Sequence, residues 1–462
     1  MSVVRNVRDL RKVTLGDLSS VLYRSLGQKP PVVVNGDGNY LYTNDGRQIL
    51  DATGGAAVAC IGHNNARVKA AIAKELDSVC YCYTQFFTTP PAEKLSKFLT
   101  DSTHGQLSRA FIVSSGSEAI EAALKMARQY FMELPQPQPE RVRFIARKQS
   151  YHGNTLGALA AGSHVARKAI YTDMLSSNVS HVSPCYPYRD MKESENEEEY
   201  VTRLAAELDA EFQRVGPNTV CAFIAETVSG GTLGCVPPVP GYFKAMKAVC
   251  DKYNALLLMD EVMSGIGRTG SLHAWEQEGV VPDIQSVAKG LGGGYAPIGA
   301  LLLNKRVVGV LDSGTKVFAH SQTYQGHPLA CATAYEVQSI IKEQNLVANV
   351  KELGPYLGEL LETELSDHPN VGNIRGRGFF WGLEFVEDKT TKKPFPAAKQ
   401  VAWKMHATGI LPEHSISLMP GNGTADGKDG DHIIIAPSYI STRSDLEEIV
   451  KRTKEVVNHV LG

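Results

Sequence analysis

Short apolar runs of strand length recur along this chain, and stretches with helical spacing separate them. The runs are FIV at 111–113, VRFIA at 142–146, VCAFIAE at 220–226, ALLLMDE at 255–261 and IGALLL at 298–303. Between them, SEAIEAALKMARQYF at 117–131 and GYFKAMKAVCDKYN at 241–254 read as helices, the first opened by Ser117 with Glu121 and carrying apolar residues at 120, 123, 124, 127 and 131. A strand apolar at every position must be covered on both faces, and strand–helix alternation supplies that cover. The expected fold is α/β, with a mostly parallel sheet between helices. LPQPQPE at 134–140 is too proline-rich to continue a helix, and KESENEEEY at 192–200 reads as a solvated face or a helix start. The pattern changes after about residue 330. A long helical stretch at 332–366, NIRGRGFFWGLEF at 373–385, another helix and the strand-like HIIIAP at 432–437 read as a smaller α+β unit. Two or three units suit 462 residues at about 150 residues per domain.

Several function classes fall away. Formal net charge is −2, so no global positive field exists to hold nucleic acid or an anionic membrane. No run of apolar residues is long enough for a membrane span. The eight cysteines form no CxxC and read as reduced, mostly buried thiols. The first twenty residues are basic but contain Asp9 and Asp17, so an N-terminal arm and a cytoplasmic protein are expected, with a mitochondrial leader the weaker reading. LLLMDE resembles a Walker B strand, yet no GxxxxGK[ST] loop accompanies it. GIGRTG at 265–270 matches GxGxxG, but its first glycine comes five residues after Asp260 rather than directly after the strand, and no clear strand follows, which disfavours a dinucleotide or other nucleotide-binding enzyme. HExxH and GxSxG are absent, and no metal is expected.

Three places remain. SSGSEA at 114–119 puts small residues at a helix start, where free N–H groups and the helix dipole suit a phosphate, or where a plain N-cap would serve. Asp260 closes a buried strand, and a buried carboxylate requires a partner: an internal ion pair or cap, or a protonated heterocycle. At about 4 Å and an effective dielectric near 20 the heterocycle would gain roughly 4 kcal/mol, enough to raise its nitrogen's pKa by about three. Lys289, in VAKGLGGGYAP, precedes four glycines within five residues. Such a backbone wraps closely around a ligand, and a desolvated lysine there forms Schiff bases. An exposed loop lysine is the plain alternative.

Taken together, SGSEA, YHG, DEV-x-x-G-x-GRTG, the PD that follows, AKG-x-GGG-x-xP and, later, NIRGRGFFWGLEF and GDHIIIAPSYIST resemble the class III, or omega, aminotransferases of pyridoxal-phosphate fold type I. The likeness runs over about residues 38 to 445. It implies a large cofactor-binding domain at 61–330, with 1–60 as arm and part of a small domain that 331–462 completes. It implies pyridoxal 5'-phosphate bound through Lys289, which also shuttles the proton, and Asp260 paired with the pyridine nitrogen. It places Val262 under the ring, Tyr151 on the other face, His152 beside it, Gly116 and Ser117 on the phosphate, and Glu226 near the phenol oxygen and substrate. Thr323 would reach the phosphate of a neighbouring subunit, so a homodimer or larger homo-oligomer is implied. The reaction implied is amino transfer from an amine or omega-amino acid to a keto acid, of pyruvate type, or another carbonyl acceptor. Class III racemases and aminomutases share this apparatus and are the alternative.

One departure stands out. The arginine that several family members use for a substrate carboxylate aligns with Ile434 in one branch and Gly427 in another. Carboxylate binding is then expected from elsewhere, with Lys428 and Arg443 as candidates.

Overall fold

The computed structural model describes residues 20–23, 25 and 29–462. The arm expected at residues 1–20 lies, except for Ser20, outside them. An antiparallel hairpin and third strand come first: β1 (Val33–Asp37), β2 (Tyr40–Thr43) and β3 (Gln48–Asp51). The large sheet follows, built from β4 (Leu107–Val113), β5 (Arg143–Arg147), β6 (Val179–Val182), β7 (Val220–Glu226), β8 (Leu256–Asp260), β9 (Ile284–Ala288) and β10 (Gly299–Asn304). Its spatial order is β4-β10-β9-β8-β7-β5-β6. Only β10 runs against its neighbours, which makes the sheet mixed and mostly parallel, as the sequence pattern requires.

Alternation explains why β7 and β8 are apolar throughout. Ile224, Leu256 and Leu258 meet Ile120, Met126 and Phe131 of the helix Gly116–Met132 on one face. Phe223, Leu257 and Met259 meet Leu208, Phe212 and Phe243 from two helices on the other. A second core joins both ends of the chain: Leu50, Ile61 and Val68 pack with Leu357, Leu383 and Ile433. There, Val371–Arg377, Phe380–Asp388, Asp431–Ile435 and Met419–Asn422 form an antiparallel sheet, while Ile416 pairs in parallel with Leu50 of β3.

Two local expectations are corrected. The helical stretch at 332–366 is two helices, Pro328–Glu343 and Leu346–Leu365, separated at Asn345, whose φ of +53° cannot continue a right-handed helix. The cap of the helix Gly116–Met132 is not Ser117 with Glu121. Ser115 Oγ accepts the Glu118 N–H at 3.2 Å, and the Glu118 carboxylate takes the Ser114 N–H at 2.8 Å. Ser117 and Glu121 look outward to the next segment instead, accepting from Asn154 N–H at 3.0 Å and Gly157 N–H at 2.7 Å. In the acidic run, Asn196 and Glu199 form a capping box that starts the helix Glu197–Val215. Every cysteine is a free thiol, most of them buried. Among the described residues, no helix is long and apolar enough to cross a membrane.

Candidate active site

Adjacent parallel strands end together at one edge of the large sheet. Glu226 closes β7 and lies in register with Asp260, which closes β8; Asp260 in turn faces Ser286 on β9. Lys289 is the first residue beyond β9. The carboxyl ends of such strands are where open α/β sheets leave a crevice. Here the crevice is a cavity of about 570 Å³.

Gly116, Ser117, Tyr151, His152, Glu226, Asp260, Val262 and Lys289 all line it. The sequence names them from segments far apart, and the fold brings them together. Thr323 is the exception: it does not line this cavity, and it sits in an exposed stretch where its carbonyl accepts from the Tyr81 hydroxyl at 3.0 Å.

Both Asp260 oxygens are held. Oδ1 accepts the Val262 N–H at 2.9 Å, and Oδ2 lies 2.7 Å from His152 Nδ1. The other imidazole nitrogen, Nε2, is buried with no hydrogen-bond partner. Glu226 accepts from the N–H groups of Tyr151 at 3.2 Å and Gly230 at 2.9 Å; burial raises its pKa. Its neighbour in sequence to Asp260, Glu261, turns away from the cavity. It collects donors from Thr227, Ala274, Trp275 and Gln285, and burial pushes it up to about 7.

Lys289 is half-buried. Loss of water lowers its ammonium to about 8, against the opposing pull of Asp260 and Glu226 and with help from Arg167 and Arg268. Its φ is +49°, a conformation that costs a residue with a side chain about 1–3 kcal/mol and that clusters at functional sites. Gly116 is required by space: a Cβ there would come 2.7 Å from Val262 Cγ1. The helix start can thus press directly against Val262.

Arg167, His164, Trp403 and Met263 also line the cavity, and sequence reasoning did not single them out. Neither carboxylate-binding candidate does so. Lys428 is exposed, and Arg443 is exposed with its guanidinium 4.4 Å from the Tyr356 ring.

The profile of the family Aminotransferase class-III matches residues 23–457. This chain is a class-III aminotransferase. An aminotransferase of Gibberella zeae is 54% identical over 442 residues, covering 96% of this aminotransferase and 86% of the relative. Gamma aminobutyrate transaminase 3, chloroplastic, of Solanum lycopersicum is 34% identical over 453 residues, covering 95% and 83%. Among solved structures, an amine transaminase from an uncultivated Pseudomonas species, in its PLP-bound (internal aldimine) form, superposes with a TM-score of 0.88. It is 31% identical to this aminotransferase, covering 96% of this chain and 98% of that one.

Proposed function

We propose that this aminotransferase moves an amino group from an amine or omega-amino acid to a keto acid of pyruvate type or a related carbonyl acceptor, with pyridoxal 5'-phosphate held at Lys289. The observation that carries this reading is the meeting of a lysine of lowered pKa with a fixed, buried carboxylate at one cavity. When bound, pyridoxal phosphate supplies an aldehyde that condenses with primary amines and a ring that withdraws electrons.

The donor set fits that group. Asp260, oriented by His152 and the Val262 N–H, supplies the negative charge that keeps a ring nitrogen protonated. Val262 and Tyr151 both line the cavity and would cover the two faces of a flat ring. Gly116 and Ser117 lie in the first turn of the helix Gly116–Met132, where N–H groups lack partners within the helix and favour a phosphate. Glu226 stands at the end of β7 as a carboxylate whose raised pKa lets it share a proton with an oxygen beside it. Lys289, with a pKa of about 8, is a neutral amine often enough near neutral pH to take a proton from carbon and return it.

The cavity is completed, on this reading, by the Thr323 stretch of a second copy. Phe86, Phe87 and Tyr324 near that stretch are 74%, 65% and 60% exposed, a large apolar surface to leave in water.

The test is a half-reaction on the holoenzyme. A primary amine donor should shift the visible absorbance of the bound cofactor and release one equivalent of carbonyl product, and pyruvate should restore the original spectrum. A spectrum that no amine changes, or that no keto acid restores, would contradict the proposal.

A further inference from the structure

The family's arginine positions are empty of charge here: Ile434 is a fully buried strand residue, and Gly427 bears no side chain. Arg167 is the only arginine among the described residues that line the cavity. It belongs to the short helix Val165–Lys168, beyond the strand end that carries Tyr151. Its guanidinium lies 4.6 Å from the centroid of the Tyr151 ring, and its charge is felt at the Lys289 ammonium. Among the described residues no carboxylate forms an ion pair with it, whereas Glu226 and Asp260 are both engaged by backbone N–H groups. A guanidinium laid on an aromatic face keeps its edge donors in a fixed fork, the geometry that takes a carboxylate in two parallel hydrogen bonds.

We infer that Arg167 is the carboxylate anchor of the substrate pocket, and that the substrates are amino and keto acids with a single carboxylate. This deepens the proposed amino transfer and rests on it. One guanidinium matches one carboxylate. Much of the remaining wall is Val58, Val228, Met263, Trp403 and Met419, against which a second carboxylate would lose water without gaining a partner. The anchor has moved from the C-terminal sheet to the segment after Tyr151.

The experiment titrates the holoenzyme with propionate, which cannot react, and reads the shift in cofactor absorbance. Arg167→Gln should raise the propionate Kd about 10- to 100-fold, the worth of a charge-assisted hydrogen-bonded pair, and Arg167→Lys should raise it less. Succinate should bind the wild type no more tightly than propionate. In half-reactions, the ratio of kcat/KM for alanine to that for benzylamine should fall by a similar factor in Arg167→Gln. A propionate Kd that moves by less than about threefold, a ratio that stays constant, or release of the cofactor from the variant would each overturn the assignment. A wild type that binds propionate through Arg167 but converts no amine would sink the amino-transfer reading and leave the anchor standing.

Discussion

The cavity floor around Lys289 and the buried cluster around Glu384 both take charge out of water, and they do it in opposite ways. Glu384, on Phe380–Asp388, has no exposure. Arg189 Nε donates to its Oε1 at 2.6 Å, Arg375 Nη1 lies 2.7 Å from Oε2, and the Tyr186 hydroxyl donates to Oε2 as well. Arg375 also donates to the Gly234 carbonyl at 2.9 Å. Here two guanidiniums and a phenol enclose one carboxylate, and both of its oxygens are taken. At the floor, Asp260, Glu226 and Lys289 border open volume, with the Nε2 of His152 left without a partner. Burial of charge alone does not mark a functional site. Charge held in place beside space, with capacity left over, does.

The two regions should therefore respond oppositely to removal of one carboxylate charge. The largest effect belongs to Asp260→Asn. It should reduce turnover about a thousandfold, corresponding to roughly 4 kcal/mol of lost ion pairing with the cofactor nitrogen, while the urea midpoint changes little. An unfolded variant would place Asp260 with the structural cluster and break the comparison. Glu384→Gln should do the reverse: two guanidiniums lose their counter-ion, stability falls by about 3–5 kcal/mol, and kcat of the folded fraction is kept. A variant as stable as wild type but inactive would contradict this. The smallest effect sharpens the comparison through pH. Only the neutral Lys289 amine captures an aldehyde, so cofactor uptake by cofactor-free enzyme should rise about tenfold per pH unit below about 8 and level off above it. A stopped-flow series that levels off only near the ordinary lysine value, about 10.4, would show that the floor does not lower this amine.

Much of this was legible in the sequence where one side chain type does one job. VCAFIAE at 220–226 marks β7 to the residue, because six apolar residues in a row, closed by one carboxylate, suit a strand covered on both faces. β6 carries too weak a signal to mark, since VSHV alternates over only four residues at the sheet edge. The break at Asn345 was hidden by apolar spacing that continues across it. Among site residues, those carried by short motifs are legible in the sequence. Arg167 is not, because its stretch holds no motif and only the packing of Val165–Lys168 beside Tyr151 brings it to the cavity. Ser115 does not stand out as the cap because Ser114, Ser115 and Ser117 are chemically alike, and which hydroxyl turns back on the helix is set by backbone geometry.

We propose that the cofactor attaches among the open charges around Lys289. Borohydride reduction of the enzyme loaded with pyridoxal phosphate, followed by mass mapping of its peptides, tests it most directly. A single phosphopyridoxyl group on Lys289 is the predicted result; a group on another lysine, a spread over several surface lysines, or no group at all would contradict the account.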